Sequence, residues 1–247
     1  MISVCMASYN GERYIRRQIN SILTQLGEHD ELIISDDGST DQTIDIIKSY
    51  KDNRIKIFYG NYQDYTKNFE NALRHALGEY IFLSDQDDEW FPSKIETVMN
   101  FFSTSGVDLI VTDAVVVDAD MKVLNESYIK SKKVSTGFFR NWIKTRYIGA
   151  CMVFNKKLLD KVLPIPGSSK YIAHDYWITC VSELCYKTAI LYKPLMYYVR
   201  HGKNTSPGIF GQSNLSLSER IYKRFYVAIF LIDRYLFRNN INRINRI

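Results

Sequence analysis

Long apolar runs are missing from this 247-residue chain: no window approaches the roughly 18 consecutive apolar residues of a membrane-spanning helix. Cysteine is scarce. Cys5, Cys151, Cys180 and Cys185 form no CxxC pair and each sits in an apolar neighbourhood, so buried free thiols are expected rather than disulfides or metal ligands. His29, His75, His174 and His201 lack zinc-type spacing, which argues against structural zinc. Phosphate loops of the GxGxxG or GxxxxGKS kind are absent as well, so any diphosphate would have to be held by a metal and cationic side chains. No basic segment precedes the apolar run after Met1, which therefore reads as a first strand and not a signal peptide; a cytoplasmic location is the expectation.

What is present describes a globular protein with 46% hydrophobic residues, long enough for one substantial core with or without a small appendage. The net charge of +5 is unevenly placed. From Arg200 to Ile247 there are nine basic residues against Glu219 and Asp233, so the main body is slightly acidic and the basic character belongs to the tail.

The organising stretch is Tyr80-Ile81-Phe82-Leu83-Ser84-Asp85-Gln86-Asp87-Asp88-Glu89-Trp90. Four bulky residues without a polar break suit a parallel strand covered on both faces, and the acids follow its carboxyl end, the edge where open α/β sheets bind ligands. Two carboxylates about 5 Å apart at an effective dielectric near 20 repel by about 3 kcal/mol. A divalent cation would relieve that repulsion, and all-oxygen ligands favour Mg2+ or Mn2+; an acidic turn capping the next helix is the alternative.

Along the chain, Ile2 to Met6 reads as a strand, Glu12 to Leu26 as a helix and Glu31 to Ser35 as the second strand, the opening of a βαβ unit. Asp36-Asp37-Gly38-Ser39-Thr40-Asp41 then combines a turn with cap residues for a helix over 42–50. Its first two acids stand where carboxylates in dinucleotide folds meet a base or ribose. An edge strand is predicted over 54–59, helices over 68–77 and 92–102, strands over 107–112 and 114–117, and late strands over 189–192 and 195–199. Residues 130–146 are basic and aromatic and lead into Gly149-Ala150, a small pair suited to close approach of a ligand or to tight packing. Asp175, in His174-Asp175-Tyr176-Trp177, is either a helix N-cap or a general base made more basic by aromatic neighbours. Arg200-His201-Gly202-Lys203-Asn204 follows the last strand and could close over a diphosphate, with His201 as a further metal ligand.

Taken in order, Ala7-Ser8-Tyr9-Asn10-Gly11, Ser35-Asp36-Asp37-Gly38-Ser39-Thr40-Asp41, Leu83-Ser84-Asp85-Gln86-Asp87-Asp88-Glu89-Trp90 and His174-Asp175 resemble family 2 glycosyltransferases, particularly the rhamnosyltransferase-like bacterial enzymes. The resemblance spans residues 2–204 and implies a GT-A fold: an α/β, Rossmann-like, mainly parallel mixed sheet flanked by helices. It implies a nucleotide-binding half over 1–105, an acceptor-binding half over 106–204 and a basic helical extension over 205–247. By the same resemblance Ala7, Tyr9, Asp36 or Asp37, Asp85 and Arg200 meet a UDP- or dTDP-sugar. Asp85 and Asp87, helped by Asp88, hold Mn2+ or Mg2+, and His201 is the further ligand candidate read from its position. Asp175 deprotonates the acceptor hydroxyl in a single inverting displacement. From their positions Gly149, His174 and Trp177 are candidates for the sugar and acceptor pocket, and Trp90 either walls that pocket or anchors the following helix in the core. Many family members carry Glu before the base Asp, where this chain has His174, and no QxxRW signature is present. Transfer of one sugar per encounter to a glycan or lipid-linked glycan is the implied activity. A sugar-nucleotide pyrophosphorylase lacks support without its Gly-rich loop, and a non-catalytic nucleotide-sugar or glycan-binding module is the alternative. The segment over 215–247 alternates base and bulk, which suits an anionic membrane surface at the inner face of the cytoplasmic membrane, or packing on the main domain or a partner subunit in a homo-oligomer. Nucleic acid is a poor partner for the acidic edge.

Overall fold

Four apolar runs become neighbouring parallel strands: β1 (Ile2–Ser8), β2 (Glu31–Asp36), β3 (Ile55–Tyr59) and β4 (Tyr80–Asp85). The computed structural model describes residues 1–202 and 216–236. Beyond β4 the sheet continues through β8 (Met152–Asn155), β6 (Leu109–Asp118), β9 (Thr188–Arg200) and β5 (Glu89–Trp90), in the order β3-β2-β1-β4-β8-β6-β9-β5. β8 runs antiparallel to both of its neighbours, β9 is parallel to β6, and β5 is antiparallel to β9. β7 (Val123–Asn125) pairs with β6 off this path. Because β8 reverses direction twice over, β1 to β4, β6 and β9 all deliver their carboxyl ends to one edge, and the sheet is continuous across the two halves expected from the sequence. Ser8, Asp36, Asp85, Asp118 and Arg200 all stand on that edge.

Helices cover both faces. α1 (Ile15–Leu23) buries Ile15, Ile19 and Ile22, and α2 (Thr43–Lys48) follows β2. α3 (Tyr65–Arg74) begins earlier than the pattern predicts because the Asp64 carboxylate accepts from the Lys67 amide and caps it. α4 (Lys94–Ser105) ends at Gly106, whose φ of 60° is the left-handed conformation of a helix C-terminus. α5 (Tyr128–Lys132), α6 (Phe138–Lys144), α7 (Lys156–Val162) and α8 (His174–Cys185) complete the second half. Cys5, Cys151 and Cys180 are buried, as their apolar surroundings predict.

Two pairs of expected strands prove to be single strands with irregularities. β6 runs through Asp113, and β9 runs through Pro194, which sits opposite it where the register slips. A proline has no N–H to give the ladder and is tolerated at such a bulge. Asp113 is 2% exposed, and its carboxylate accepts from the amides of Ala114 and Ile129 and the hydroxyl of Ser127.

The basic tail holds a 20-residue helix, α9 (Leu217–Leu236), seated on the main body through Val227 and Leu231. Arg224 and Arg234 are tied to the main body, where a membrane-facing tail would turn its cations to headgroups, while Arg220 is exposed. Arg234 is buried and donates to the carbonyls of Leu163, at 2.7 Å, and Pro164, while Arg224 donates to the carbonyl of Ile143 at 2.9 Å. Tyr226 stacks on Tyr171 and lies over Gly167. A Cβ on Gly167 would fall 2.5 Å from the Tyr226 hydroxyl, and its φ of 81° already favours glycine. Lys203 and Asn204, Phe237 and the basic Arg238, Arg243 and Arg246 lie outside the described residues.

Candidate active site

The acidic loop after β4 is built by contacts from three directions. Gln86 turns back onto the loop after β1, donating from Nε2 to the Tyr9 carbonyl at 2.9 Å and accepting from the Tyr9 amide at 3.0 Å. Gly11 permits this, since a Cβ there would fall 2.1 Å from the Gln86 Oε1. Below the loop, Gln18 donates to the Ser84 hydroxyl at 2.7 Å and Arg17 pairs with Glu89 at 3.5 Å. From β9, the Val199 amide donates to Asp88 Oδ1 at 3.0 Å, and His201 Nε2 lies 2.7 Å from Asp87 Oδ2 with its ring stacked on Tyr14.

Asp85, Asp87 and Asp88 are thereby drawn into one group, with an oxygen of each within 4.8 Å of the others. Asp88 is fully buried, and its Oδ2 has no hydrogen-bond partner among the described residues. Burial, then the charges of Asp87 and Asp85, push its carboxyl well above the usual range, opposed by the Val199 amide and Lys94. Burial and the charges of Asp87 and Asp175 push Asp85 up to about 7. An unsatisfied buried carboxylate oxygen facing two further acids fits a divalent cation, and the all-oxygen set suits Mg2+ or Mn2+. His201 is not part of the compact group; it supports Asp87 from outside.

Lys94 completes this corner, and the sequence offered no hint of it. It is fully buried, its ammonium donating to the Ala150 carbonyl at 3.1 Å and lying 4.3 Å from the Trp90 ring centroid. Burial lowers it to about 8, and the charges of Cys151, Asp88 and Asp85 oppose that. A cation beneath the acids offsets part of their repulsion.

Asp36 and Asp37 differ in what they have left to give. Asp36 Oδ1 accepts from the amides of Gly38 and Ser39, and Oδ2 from the hydroxyls of Ser8 and Ser39. An ionised carboxylate has about four acceptor sites, so Asp36 is saturated by its own loop. Asp37 accepts only from the amides of Tyr62 and Asp64 and keeps capacity for further donors. Tyr9 is 54% exposed beside them, and Ala7 is half-buried at the end of β1.

Asp175 is not the N-cap; Ala173 holds that position, and Asp175 lies in the first turn of α8, accepting from the Tyr176 amide at 2.7 Å. Burial raises its carboxyl to about 6, opposed by backbone N–H groups, and its charge acts on Asp85, so the two share one electrostatic site. The direction is the one expected of a partly desolvated carboxylate. Trp177 is fully buried with its indole N–H donating to the Val162 carbonyl, and Trp90, 3% exposed, packs on Phe82. Both tryptophans are core residues: for Trp90 that is one of its two readings from the sequence, and for Trp177 it replaces a place in the pocket lining. His174 is also buried, stacked 3.9 Å from the Phe69 ring, and burial lowers it to about 3, so it is neutral. Gly149 opens the 3-10 turn Gly149–Cys151 before β8 and lets it approach the start of α8: a Cβ there would lie 2.9 Å from His174 Nε2 and 3.4 Å from the Asp175 Cβ. Arg200, at the end of β9, is half-buried and donates to the Tyr198 hydroxyl at 3.1 Å.

Comparison with known proteins bears directly on this edge. The Glycosyl transferase family 2 profile matches residues 3–163, which include β1, β2, β4 and their three loops. The chain belongs to glycosyltransferase family 2. An uncharacterized glycosyltransferase of Haemophilus influenzae is 30% identical over 82% of this chain and 80% of its own length. The Escherichia coli UDP-Glc:alpha-D-GlcNAc-diphosphoundecaprenol beta-1,3-glucosyltransferase WfgD is 28% identical over 72% of this chain and 68% of its own. S. aureus TarS in complex with UDP-GlcNAc superposes with a TM-score of 0.69 at 20% identity, over 96% of this chain and 66% of that one, which shows the GT-A fold. The match spans 66% of an uncharacterized Nostoc sp. glycosyltransferase and about half, 51%, of the Bacillus subtilis protein TuaG, so this family 2 chain covers part of several relatives.

Proposed function

We propose that this family 2 protein is an inverting glycosyltransferase that moves one sugar from a UDP- or dTDP-sugar to a hydroxyl of a glycan or lipid-linked glycan in bacterial surface polysaccharide synthesis, such as O-antigen or capsule. The observation that carries it is the pairing, on one sheet edge, of the Asp85-Asp87-Asp88 group with a raised, partly covered Asp175. Relatives supply the class of substrate: WfgD and WfaP are named for UDP-glucose and a diphosphoundecaprenol acceptor, TuaG for teichuronic acid biosynthesis, and TarS was solved with UDP-GlcNAc.

In this reading Tyr9 and Asp37 receive the base and ribose, with Asp36 holding their loop in shape. Asp85, Asp87 and Asp88 would hold Mn2+ or Mg2+, which when bound offsets the charge that develops on the departing nucleoside diphosphate. Arg200 adds a cation to the same side. Asp175 accepts the proton of the acceptor hydroxyl while that oxygen forms its bond to the anomeric carbon. The bond from that carbon to the diphosphate breaks in the same displacement, so the anomeric configuration inverts. A base near 6 is ionised at neutral pH and still basic enough to take the proton as the bond forms. His174, neutral and with no hydrogen-bond partner among the described residues, leaves the adjacent carboxylate without a competing cation.

The test is release of UDP or dTDP from a panel of nucleotide sugars with Mn2+, with and without a polyprenyl-diphosphate-linked N-acetylhexosamine. Release that requires both donor and acceptor is expected. Tight donor binding with no release from any donor would favour the binding-module alternative.

A further inference from the structure

We propose that α6 and the outer face of α9 together form a docking face for an anionic lipid bilayer. The two helices are one surface. Trp142 Nε1 of α6 donates to the Arg224 carbonyl of α9, and the Arg224 guanidinium returns a bond to the Ile143 carbonyl. Between them runs an apolar groove of about 380 Å³, lined among others by Phe138, Phe139, Trp142, Leu231, Ile232 and Tyr235.

α9 is apolar on two sides. Val227, Leu231 and the aliphatic stem of Arg234, spaced four and three residues apart, face the body and are buried. Phe225, Ile229 and Ile232, with the same spacing, face outward and are 66%, 65% and 56% exposed. A helix that merely covers a core turns polar residues to water, so this second stripe calls for a partner. α6 continues it with Phe139 and Ile143, four residues apart and 72% and 63% exposed.

Charge selects the partner. The segment 130–146 contains Lys130, Lys132, Lys133, Arg140, Lys144 and Arg146 and no Asp or Glu, and all of these but Lys132 are exposed. α9 adds Arg220, Lys223, Arg224 and Arg234 against Glu219 and Asp233, so the two segments together remain basic. Exposed aromatic and aliphatic residues beside a net positive charge match the headgroup and acyl boundary of an anionic membrane. Among the described residues no helix is long and apolar enough to cross a membrane, so the contact lies in the plane of the surface. The face is also close to the reacting edge: the hydroxyl of Tyr176, next to Asp175, donates to the Trp142 carbonyl at 2.6 Å. A hydroxyl presented at a lipid surface would thus arrive one helix away from Asp175.

The inference does not depend on the transferase reading, because binding is measured without donor or acceptor. Co-sedimentation of the full chain with phosphatidylglycerol-containing vesicles, against phosphatidylcholine alone, tests it. Wild-type protein is expected on the anionic vesicles only, and less of it in high salt. The double variant Phe139→Glu, Ile229→Glu is expected to bind at least about tenfold more weakly, and Lys144→Glu alone about fivefold or more, both with unchanged thermal melting. Failure of the wild-type chain to bind anionic vesicles, or undiminished binding by the double variant, overturns the proposal. So does sedimentation of the wild-type chain as a dimer that the double variant loses, without vesicle binding, which would assign the face to a second copy.

Discussion

Replacing Asp175 by Asn is expected to make the protein more stable. Burial holds this carboxyl at about 6 against an ordinary 3.8. At pH 8 it is charged in the folded and unfolded chain alike, and the folded state bears the cost of keeping that charge from water. At 1.36 kcal/mol per pH unit the difference corresponds to about 3 kcal/mol. Asp175 is partly open to solvent, which reduces this to about 1–2 kcal/mol. Asparagine keeps an oxygen for the Tyr176 amide and drops the charge, and it also removes one of the charges that raise Asp85. For a domain of this size the gain corresponds to roughly 2–8 °C in Tm. Its pH dependence is the signature. The raised carboxyl binds its proton more tightly in the folded state, so the wild-type chain gains on the variant as pH falls through about 6, and the gap closes near the unfolded value of 3.8. Thermal melts of both proteins from pH 8 to pH 4, with chelator present so that no cation offsets the acids, measure this directly. A variant that melts lower than wild type at pH 8, or a gap that does not narrow on acidification, would refute the reasoning.

Other predictions concern the same edge. Asp87→Ala is expected to lower Mn2+-dependent UDP affinity at least about tenfold, measured by calorimetry; equal binding with chelator present would remove the cation from the account. Transfer, measured as kcat/KM, is expected to rise with pH through about 6 as Asp175 loses its proton, and a flat profile from pH 5 to 7 would contradict that. Gly11→Ala should displace Gln86 from Tyr9 and weaken nucleotide binding several-fold, with little change in Tm because Gln86 lies at the surface end of the loop. Gly167→Ala should cost about 1–3 kcal/mol through its positive φ and the contact with Tyr226, read as earlier release of α9 in hydrogen exchange; unchanged protection of α9 would count against its seating.

Much of the reacting edge was legible in the sequence because it depends on local pattern. The apolar run Tyr80 to Leu83 predicts a buried parallel strand, and its abrupt end at Asp85 places the acids at the ligand edge, where the structure has them. What was not legible depends on contacts far apart in the chain. Nothing local says that Gln86 reaches Tyr9, that Lys94 lies beneath Asp88, or that Asp36 spends every acceptor site on its own loop while Asp37 does not. Trp177 reads as a pocket residue because it adjoins Asp175, and Trp90 reads either as a pocket wall or as a core anchor; strand and helix geometry turn both inward, Trp90 from β5 and Trp177 from the buried face of α8. In the tail, alternation of base and bulk suggests cations facing lipid. Arg224 and Arg234 instead satisfy carbonyls at Ile143, Leu163 and Pro164, and the outward surface is the apolar stripe.

The most direct test of the central claim is a side-by-side measurement of UDP affinity and UDP release for Asp175→Asn, in Mn2+ with donor and acceptor present. An affinity within about twofold of wild type, with release reduced at least about a thousandfold, is the predicted result. Release at the wild-type rate would contradict the assignment of Asp175 as the base and, with it, the proposed mechanism of transfer at this edge.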